Sequence, residues 1–314
     1  MLISIVIATY NRSDKLKEVL ESLLKQETRN LFDYEVILVD NNSKDATKQI
    51  VNDFQPRFKG RLKYFFEPVK GKTNAVNKGI HESAGAVIAF TDDDTVVDTQ
   101  WLWNIVACFK DHPCDGMGGR ILPLYPDGAP QWVKDNKKIL AGPIVIYDYG
   151  EEVKKYGKPM FEFLGANFAF KKEVFTECGL FRTDIGPGLS TMGEDTEFTH
   201  RVLEKGKNLY YNGKALVYHP VDPQRMTLRY IAKWDIALGR YRVVVDEKSE
   251  LDRNLIYYLG IPRYLIRDML QTAYRLILVV FNKPEFLKAW NRLMINVGRS
   301  MEYRRIFFLE EQNK

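Results

Sequence analysis

The sequence predicts an α/β protein with a mostly parallel central sheet flanked by helices and a helical extension at its carboxyl end. Three observations carry this expectation. Short β-branched runs alternate with amphipathic stretches over the first hundred residues, as expected of strands joined by crossover helices. Successive runs end in polar clusters, at Thr9 to Arg12, Asp40 to Ser43 and Asp92 to Asp94. From about residue 227 the pattern turns helical, with Lys and Arg interleaved among apolar residues.

The elements follow in order. Ile3 to Ala8 is a nearly continuous apolar run, the mark of a strand covered on both faces. Asn11-Arg12-Ser13 then supplies a turn, and Leu16, Val19, Leu20, Leu23 and Leu24 recur at helical spacing. Tyr34 to Val39 is the second strand, Ala46 to Phe54 the next helix and Leu62 to Phe66 the third strand. Asn74 to Ser83 reads as a helix closed by Gly85. Ala86 to Thr91 is a fourth strand running straight into three aspartates. Residues from about 115 to 220 are richer in Gly, Pro and aromatics and suit loops built on a mixed extension of the sheet.

Length and composition bound the rest. With 314 residues, 45% hydrophobic and 28% charged, the chain is ordinary globular protein, either one large domain with an appendage or two modest ones. No linker is long enough to separate independent domains, so the division is set at 1–225 for an α/β domain and 226–314 for a basic helical extension. A net charge of +5 is too mild to argue for nucleic acid. Cys108, Cys114 and Cys178 have no CxxC spacing and form an odd set, which disfavours a disulfide framework or zinc cage and reads as reduced and cytosolic. The apolar start stops at Thr9 and lacks a basic lead-in, so it suits a buried strand better than a signal peptide. Leu276 to Phe281 falls far short of the roughly 18 residues that cross a bilayer.

The polar clusters sit at the carboxyl ends of parallel strands, the edge where open α/β sheets bind ligands. Asp92-Asp93-Asp94 is the sharpest of them. Three adjacent carboxylates repel one another in a partly buried loop unless a cation offsets them, and closely spaced oxygen ligands suit Mg²⁺ or Mn²⁺. A solvated acidic turn before the helix near Trp101 is the plain alternative. Asp40 suits ribose or base hydrogen bonding, or equally an Asx turn opening the next helix. No Gly-x-Gly-x-x-Gly follows the first strand and no Walker A sequence occurs, so a diphosphate would need a metal and basic side chains. Arg12, Lys70 and Lys72 are available for that. Glu194 and Asp195 open a helical run, where acids favour the helix dipole, yet beside a metal–diphosphate site one of them could act as general base toward a hydroxyl. His219 ends a strand. It is either structural or a neutral imidazole that completes a metal shell with Asp94.

Taken together, these residues resemble glycosyltransferase family 2, the inverting GT-A group that uses nucleotide-diphosphate sugars. The matches run in order over about the first 220 residues: Ser4 to Arg12; Val39 to Ser43 with Asp45 and Thr47; Gly71-Lys72 through Ala75, Asn77 and Gly79; the aspartate triplet; Gly165 to Phe170; and Gly193-Glu194-Asp195 with Arg201 and Gly206. Val76 departs from the family, which frequently has Arg there. The resemblance implies a GT-A-like, Rossmann-like sheet. It implies that Thr9, Tyr10, Asn11, Arg12, Asp40, Lys72, Asn77, Asp92 and Asp93 hold the nucleotide sugar. Asp94, with Asp92 and His219, would bind the metal. Asp195 would deprotonate the acceptor, with Glu194 shaping the local field. The reaction would be a single in-line displacement that inverts the anomeric carbon.

The carboxyl-terminal stretch from 227 carries 16 Lys and Arg against 10 Asp and Glu, so the chain's excess positive charge lies there. Arg225, Arg229, Lys233, Trp234, Arg240 and Arg242 suit either a flap over the diphosphate or a charged helix face. Farther on, apolar faces punctuated by Arg and Lys suit contact with an anionic membrane. The expected function is transfer of a sugar, from a UDP-sugar by preference, to a glycan or lipid-linked acceptor in bacterial-type surface polysaccharide or glycolipid synthesis. The place is the cytoplasm or the cytoplasmic face of a membrane, with Mn²⁺ or Mg²⁺ as cofactor and no nucleic-acid partner. The alternatives are a nucleotidyltransferase, or a non-catalytic nucleotide-sugar-binding protein at a membrane.

Overall fold

The computed structural model describes residues 1–157, 160, 163–186, 192–245 and 255–312. They fall into two compact units. Unit 1 comprises 1–124, 145–189 and 194–220, and unit 2 comprises 125–144, 190–193 and 221–314.

Unit 1 begins with the alternation expected: β1 (Leu2–Thr9), α1 (Ser13–Leu24), β2 (Asp33–Asp40), α2 (Thr47–Phe54), β3 (Leu62–Phe66), α3 (Lys72–Glu82) and β4 (Val87–Phe90). After β4 come a two-residue strand not anticipated from sequence, β5 (Val96–Val97), then α4 (Trp101–Asp111) and β6 (Gly116–Leu124). A short helix in the other unit, α5 (Gln131–Asp135), interrupts the run. Unit 1 resumes with β7 (Val153–Lys155), β8 (Phe168–Lys171), α6 (Lys172–Cys178), α7 (Glu194–Glu204) and β9 (Leu209–Pro220).

The sheet has nine strands in the order β3-β2-β1-β4-β8-β6-β9-β5, with β7 pairing β9. The four amino-terminal strands are parallel. β8 is antiparallel to both β4 and β6, and β5 and β7 are antiparallel to β9, so the second half of the sheet is mixed. Register decides where the chemistry falls. Thr9 is opposite Asp40 and Val6 is opposite Phe90, which brings the polar clusters after β1, β2 and β4 to one edge.

Alternation along β1 explains the layers. Ile3, Ile5 and Ile7 face a core built with α1, α2 and α4, including Leu16, Val19 and Trp101. Val6 faces the opposite core, with Ile80 of α3, Phe175 of α6 and Phe198 of α7. At Gly79 of α3 a Cβ would stand 2.4 Å from the Val6 side chain, so only glycine lets this helix lie so close to the strand. Phe90, Phe168, Phe170, Phe175, Phe181 and Phe198 stack edge to face and face to face. The three cysteines are buried and free.

Unit 2 contains α5, then α8 (Leu228–Val245), a hairpin of β10 (Tyr257–Tyr258) and β11 (Ile261–Pro262), α9 (Arg263–Leu278) and the long α10 (Lys283–Gln312). α8 and α10 cross through paired glycines. A Cβ on Gly239 would reach 2.0 Å from the Ile295 carbonyl, and one on Gly298 would reach 2.0 Å from that of Ile236. Such contact of backbone on backbone excludes any side chain at the crossing. Among the described residues no helix is long and apolar enough to cross a membrane.

Candidate active site

The loops after β1 and β2 are stitched together by side-chain to backbone bonds. Asn11, at φ 50°, accepts from the Lys44 N–H at 2.7 Å, and its own N–H donates to the Ser43 hydroxyl at 2.9 Å. Asp45 accepts from the Ser13 N–H at 2.9 Å. Asn and Asp serve here because a short polar side chain tolerates left-handed backbone and mimics a turn bond. Tyr10 stands half exposed on the resulting rim, at 48%, while Thr9 is buried.

Asp40 is buried at the end of β2. It accepts from the Ser43 N–H at 2.8 Å and from the Tyr64 hydroxyl at 2.8 Å. Asn77 is engaged too, donating to the Phe181 carbonyl at 2.8 Å and accepting from its N–H at 3.1 Å. These bonds brace the loops that frame the site.

The acidic triplet divides into distinct environments. Asp92 lies 2.5 Å from the Lys72 ammonium. Burial would raise the Asp92 carboxyl, but Lys72 outweighs it and holds the group below its usual range. Asp93 is buried, and burial pushes it up to about 6 although Arg12 and the Thr9 hydroxyl favour its charged form. Arg12 donates to Asp94 and lies 3.3 Å from Asp93. One guanidinium thus bridges two of the three carboxylates.

Asp92, Asp94 and His219 can each turn one ligand atom into a group in which all lie within 4.8 Å of one another. His219, buried at the end of β9, has its Nε2 at 3.6 Å from Asp94. Two carboxylate oxygens and one imidazole nitrogen fit Mn²⁺ or Mg²⁺ better than a soft metal. The donor set therefore suits the ion that the sequence implied.

α7 carries the remaining acids into the same cleft, whose walls include Asp92, Lys72, Thr73, Val76, Phe181, Gly165, Glu194 and Asp195. Asp195 accepts from the Gly165 N–H at 2.8 Å and from its neighbour Thr196 at 2.9 Å. Burial raises the Asp195 carboxyl despite those donors and Lys72. Glu194 is pushed up to about 7 by burial and by the adjacent Asp195. Lys72 holds its proton firmly. Burial works against its charge, but Asp92, Glu194 and Asp195 all favour it. The arrangement is a cation held among three carboxylates, with a raised carboxyl free to accept a proton.

Arg12, Lys72, Asp92, Asp93, Asp94, His219, Glu194 and Asp195 are therefore brought to one side of unit 1. Sequence reading missed Tyr64, which holds Asp40, and, inside the 165–170 match, the bonds by which the Asn167 amide joins the Trp101 indole at 2.8 Å to the Arg120 and Ala215 carbonyls. No local signal marks these bonds, because the partners are 24 to 66 residues apart. Arg240, which the sequence suits to either a flap or a charged helix face, is in an ion pair with buried Glu302 at 2.9 Å inside unit 2.

A sequence profile described as glycosyl transferase family 2 matches residues 4–179. The chain is 25% identical over 305 residues to glycosyltransferase AglE of Haloferax volcanii, covering 95% of this chain and 94% of that protein. It is 22% identical over 284 residues to the glucosyl-dolichyl phosphate glucuronosyltransferase of the same organism, covering 85% and 88%. Among solved structures, Staphylococcus aureus TarS 1–349 in complex with UDP superposes at a TM-score of 0.57 with 15% identity, covering 100% and 92%. The mannosyltransferase PcManGT from Pyrobaculum calidifontis, with GDP-Man and Mn²⁺, gives 0.58 and 16%, covering 99% of this chain and 75% of that one. These likenesses place the fold in the GT-A group.

Proposed function

This chain belongs to glycosyl transferase family 2, and from that premise we propose that it is a metal-dependent inverting transferase moving sugar from a nucleotide-diphosphate sugar, preferentially a UDP-sugar, to an acceptor hydroxyl. The observation that carries the reading is one cleft lined by both Asp92 and Asp195. A metal-side carboxylate and a raised carboxyl facing one space are what a displacement at an anomeric carbon needs.

In this reading Asp92, Asp94 and His219 hold a divalent ion, which when bound supplies Lewis-acid stabilisation of the departing diphosphate. Asp195 takes the acceptor proton while the acceptor oxygen bonds to the anomeric carbon. The carbon–oxygen bond to the diphosphate breaks on the opposite face, inverting the centre. The raised carboxyl makes Asp195 a stronger base than a solvated aspartate, and the Gly165 N–H fixes its orientation. Burial keeps that carboxyl high, while Lys72 favours its charged form. Arg12 and the exposed Tyr10 line the donor side. Asn11, Asp40 and Asn77 brace the loops on the donor side.

The acceptor is a hydroxyl of a glycan or lipid-linked sugar, and the chain works at the cytoplasmic face of a membrane. The likeness to a glucosyl-dolichyl phosphate glucuronosyltransferase supports the lipid-linked form. The test is a panel of nucleotide sugars with Mn²⁺ or Mg²⁺, following nucleoside diphosphate release and thermal stabilisation. Metal-dependent release from at least one donor supports the reading. Donor binding without turnover on any acceptor class would favour a non-catalytic binding protein.

A further inference from the structure

In unit 2, α9 carries apolar side chains on an exposed face as well as on its covered one. On α9 and the turn that follows it, Leu270, Tyr274, Ile277, Leu278 and Phe281 recur at three- and four-residue spacing and so share one face. That face is exposed. The five side chains are 68%, 65%, 72%, 65% and 100% accessible, whereas Leu265 and Thr272 on the other side of the helix are buried. An apolar stripe of this length pointing outward is unusual unless something covers it.

Charge around the stripe selects the occupant. Residues 263 to 292 hold Arg263, Arg267, Arg275, Lys283, Lys288 and Arg292 against only Asp268 and Glu285. Those two acids are already engaged, Asp268 by Arg292 and Glu285 by Arg275 and Lys288. Arg263 and Arg267 are exposed at the amino end of the stripe and make no ion pair among the described residues. The hairpin just before the helix adds Tyr258 and Leu259, accessible at 53% and 77%, with Leu259 held at φ 49° on the turn. An apolar protein partner would leave the unpaired guanidinium groups without counter-charge. An anionic lipid surface offers acyl chains for the stripe and headgroup charge for the arginines, and tyrosines suit the boundary between them.

We infer that α9 lies in the plane of an anionic bilayer, inserting the 270–281 face below the headgroups while Arg263 and Arg267 bind lipid phosphate. A helix of this length, about 24 Å, with Arg267, Asp268 and Arg275 within it, is too short and too charged to span, so the contact is peripheral. The contact deepens the reading of a membrane-linked acceptor and rests on it for its purpose.

The test is co-sedimentation of the full chain with vesicles of phosphatidylcholine alone or with about 30 mol% phosphatidylglycerol, at low and high salt. Binding is expected only to the anionic vesicles and is expected to weaken with salt. Ile277→Ser with Phe281→Ser should lower the partition coefficient at least about tenfold, and Arg263→Glu with Arg267→Glu likewise. Both pairs are at exposed positions, so unchanged melting is the check that the fold persists. The inference is overturned by absent binding to anionic vesicles. It is equally overturned by binding that the serine pair leaves unchanged, or by a self-associated chain that the serine pair turns monomeric without any vesicle binding. Vesicle-free donor hydrolysis reports on the transferase reading separately, so either can fail while the other stands.

Discussion

The backbone N–H of Gly165 stands 2.8 Å from Oδ2 of Asp195, tying the first turn of α7 to the loop that enters β8. One hydrogen bond thus fixes where the raised carboxyl faces. It also explains why a motif of acids at a helix start becomes more than a favourable interaction with the helix dipole.

Asp195→Asn should lower turnover by about three orders of magnitude or more, since it removes the base while keeping shape and the Gly165 bond. Donor affinity should stay within about threefold of the parent. Steady-state kinetics and donor titration by calorimetry separate the two. A variant that loses donor binding instead would place Asp195 on the donor.

Asp94→Asn and His219→Ala should each raise the Mn²⁺ concentration needed for half-maximal activity by about 10- to 100-fold, because the first neutralises and the second removes one of the three proposed ligands. Metal titration of donor hydrolysis is the measurement. Loss of activity at every metal concentration, with no shift of the midpoint, would argue against ligation.

Arg12 bridges Asp93 and Asp94, the second of which is a proposed metal ligand. A bound cation and this guanidinium compete for the same charge, so Arg12→Ala should tighten Mn²⁺ binding in the absence of donor. It should weaken nucleotide-sugar binding, where the released guanidinium would meet the diphosphate. Opposite signs in two calorimetric titrations are expected. A fall in both affinities would make Arg12 a structural brace.

Asp235 of α8 is 1% exposed, and burial pushes it up to about 7 although Arg242 acts against that. A carboxyl raised in the folded state keeps its proton there while the unfolded chain has lost it. Its contribution therefore favours folding at low pH and is lost as pH rises from about 4 toward 7. Asp235→Asn should raise the melting temperature at pH 8 and change it little at pH 4. Equal gains at both values would show that titration is not the cause.

The sequence was most legible where periodicity and strand ends do the work. Apolar runs of β1, β2 and β4 had to be covered on both faces, which forces a parallel sheet with crossover helices. Parallel direction in turn puts Thr9 to Arg12, Asp40 to Ser43 and Asp92 to Asp94 on one edge. β5 escaped notice because two residues carry no period, and its partner in β9 lies more than a hundred residues on. The partners of Asp40 and Asn77 were hidden for a related reason. A polar residue beside a ligand edge reads the same whatever it faces, and Tyr64 and Phe181 come from distant segments.

By itself, then, the order of residues determined the elements of the first ninety residues, the direction of the first four strands, the family and the set of acids brought into play. Those follow from local pattern, where each residue's neighbours in the chain are also its neighbours in space. Only the tertiary structure decided which carboxyl is raised, which carries Arg12 or Lys72, and that α9 shows its apolar face outward. Burial and charge pairing are properties of the surroundings that distant segments create, and no stretch of sequence contains its own surroundings.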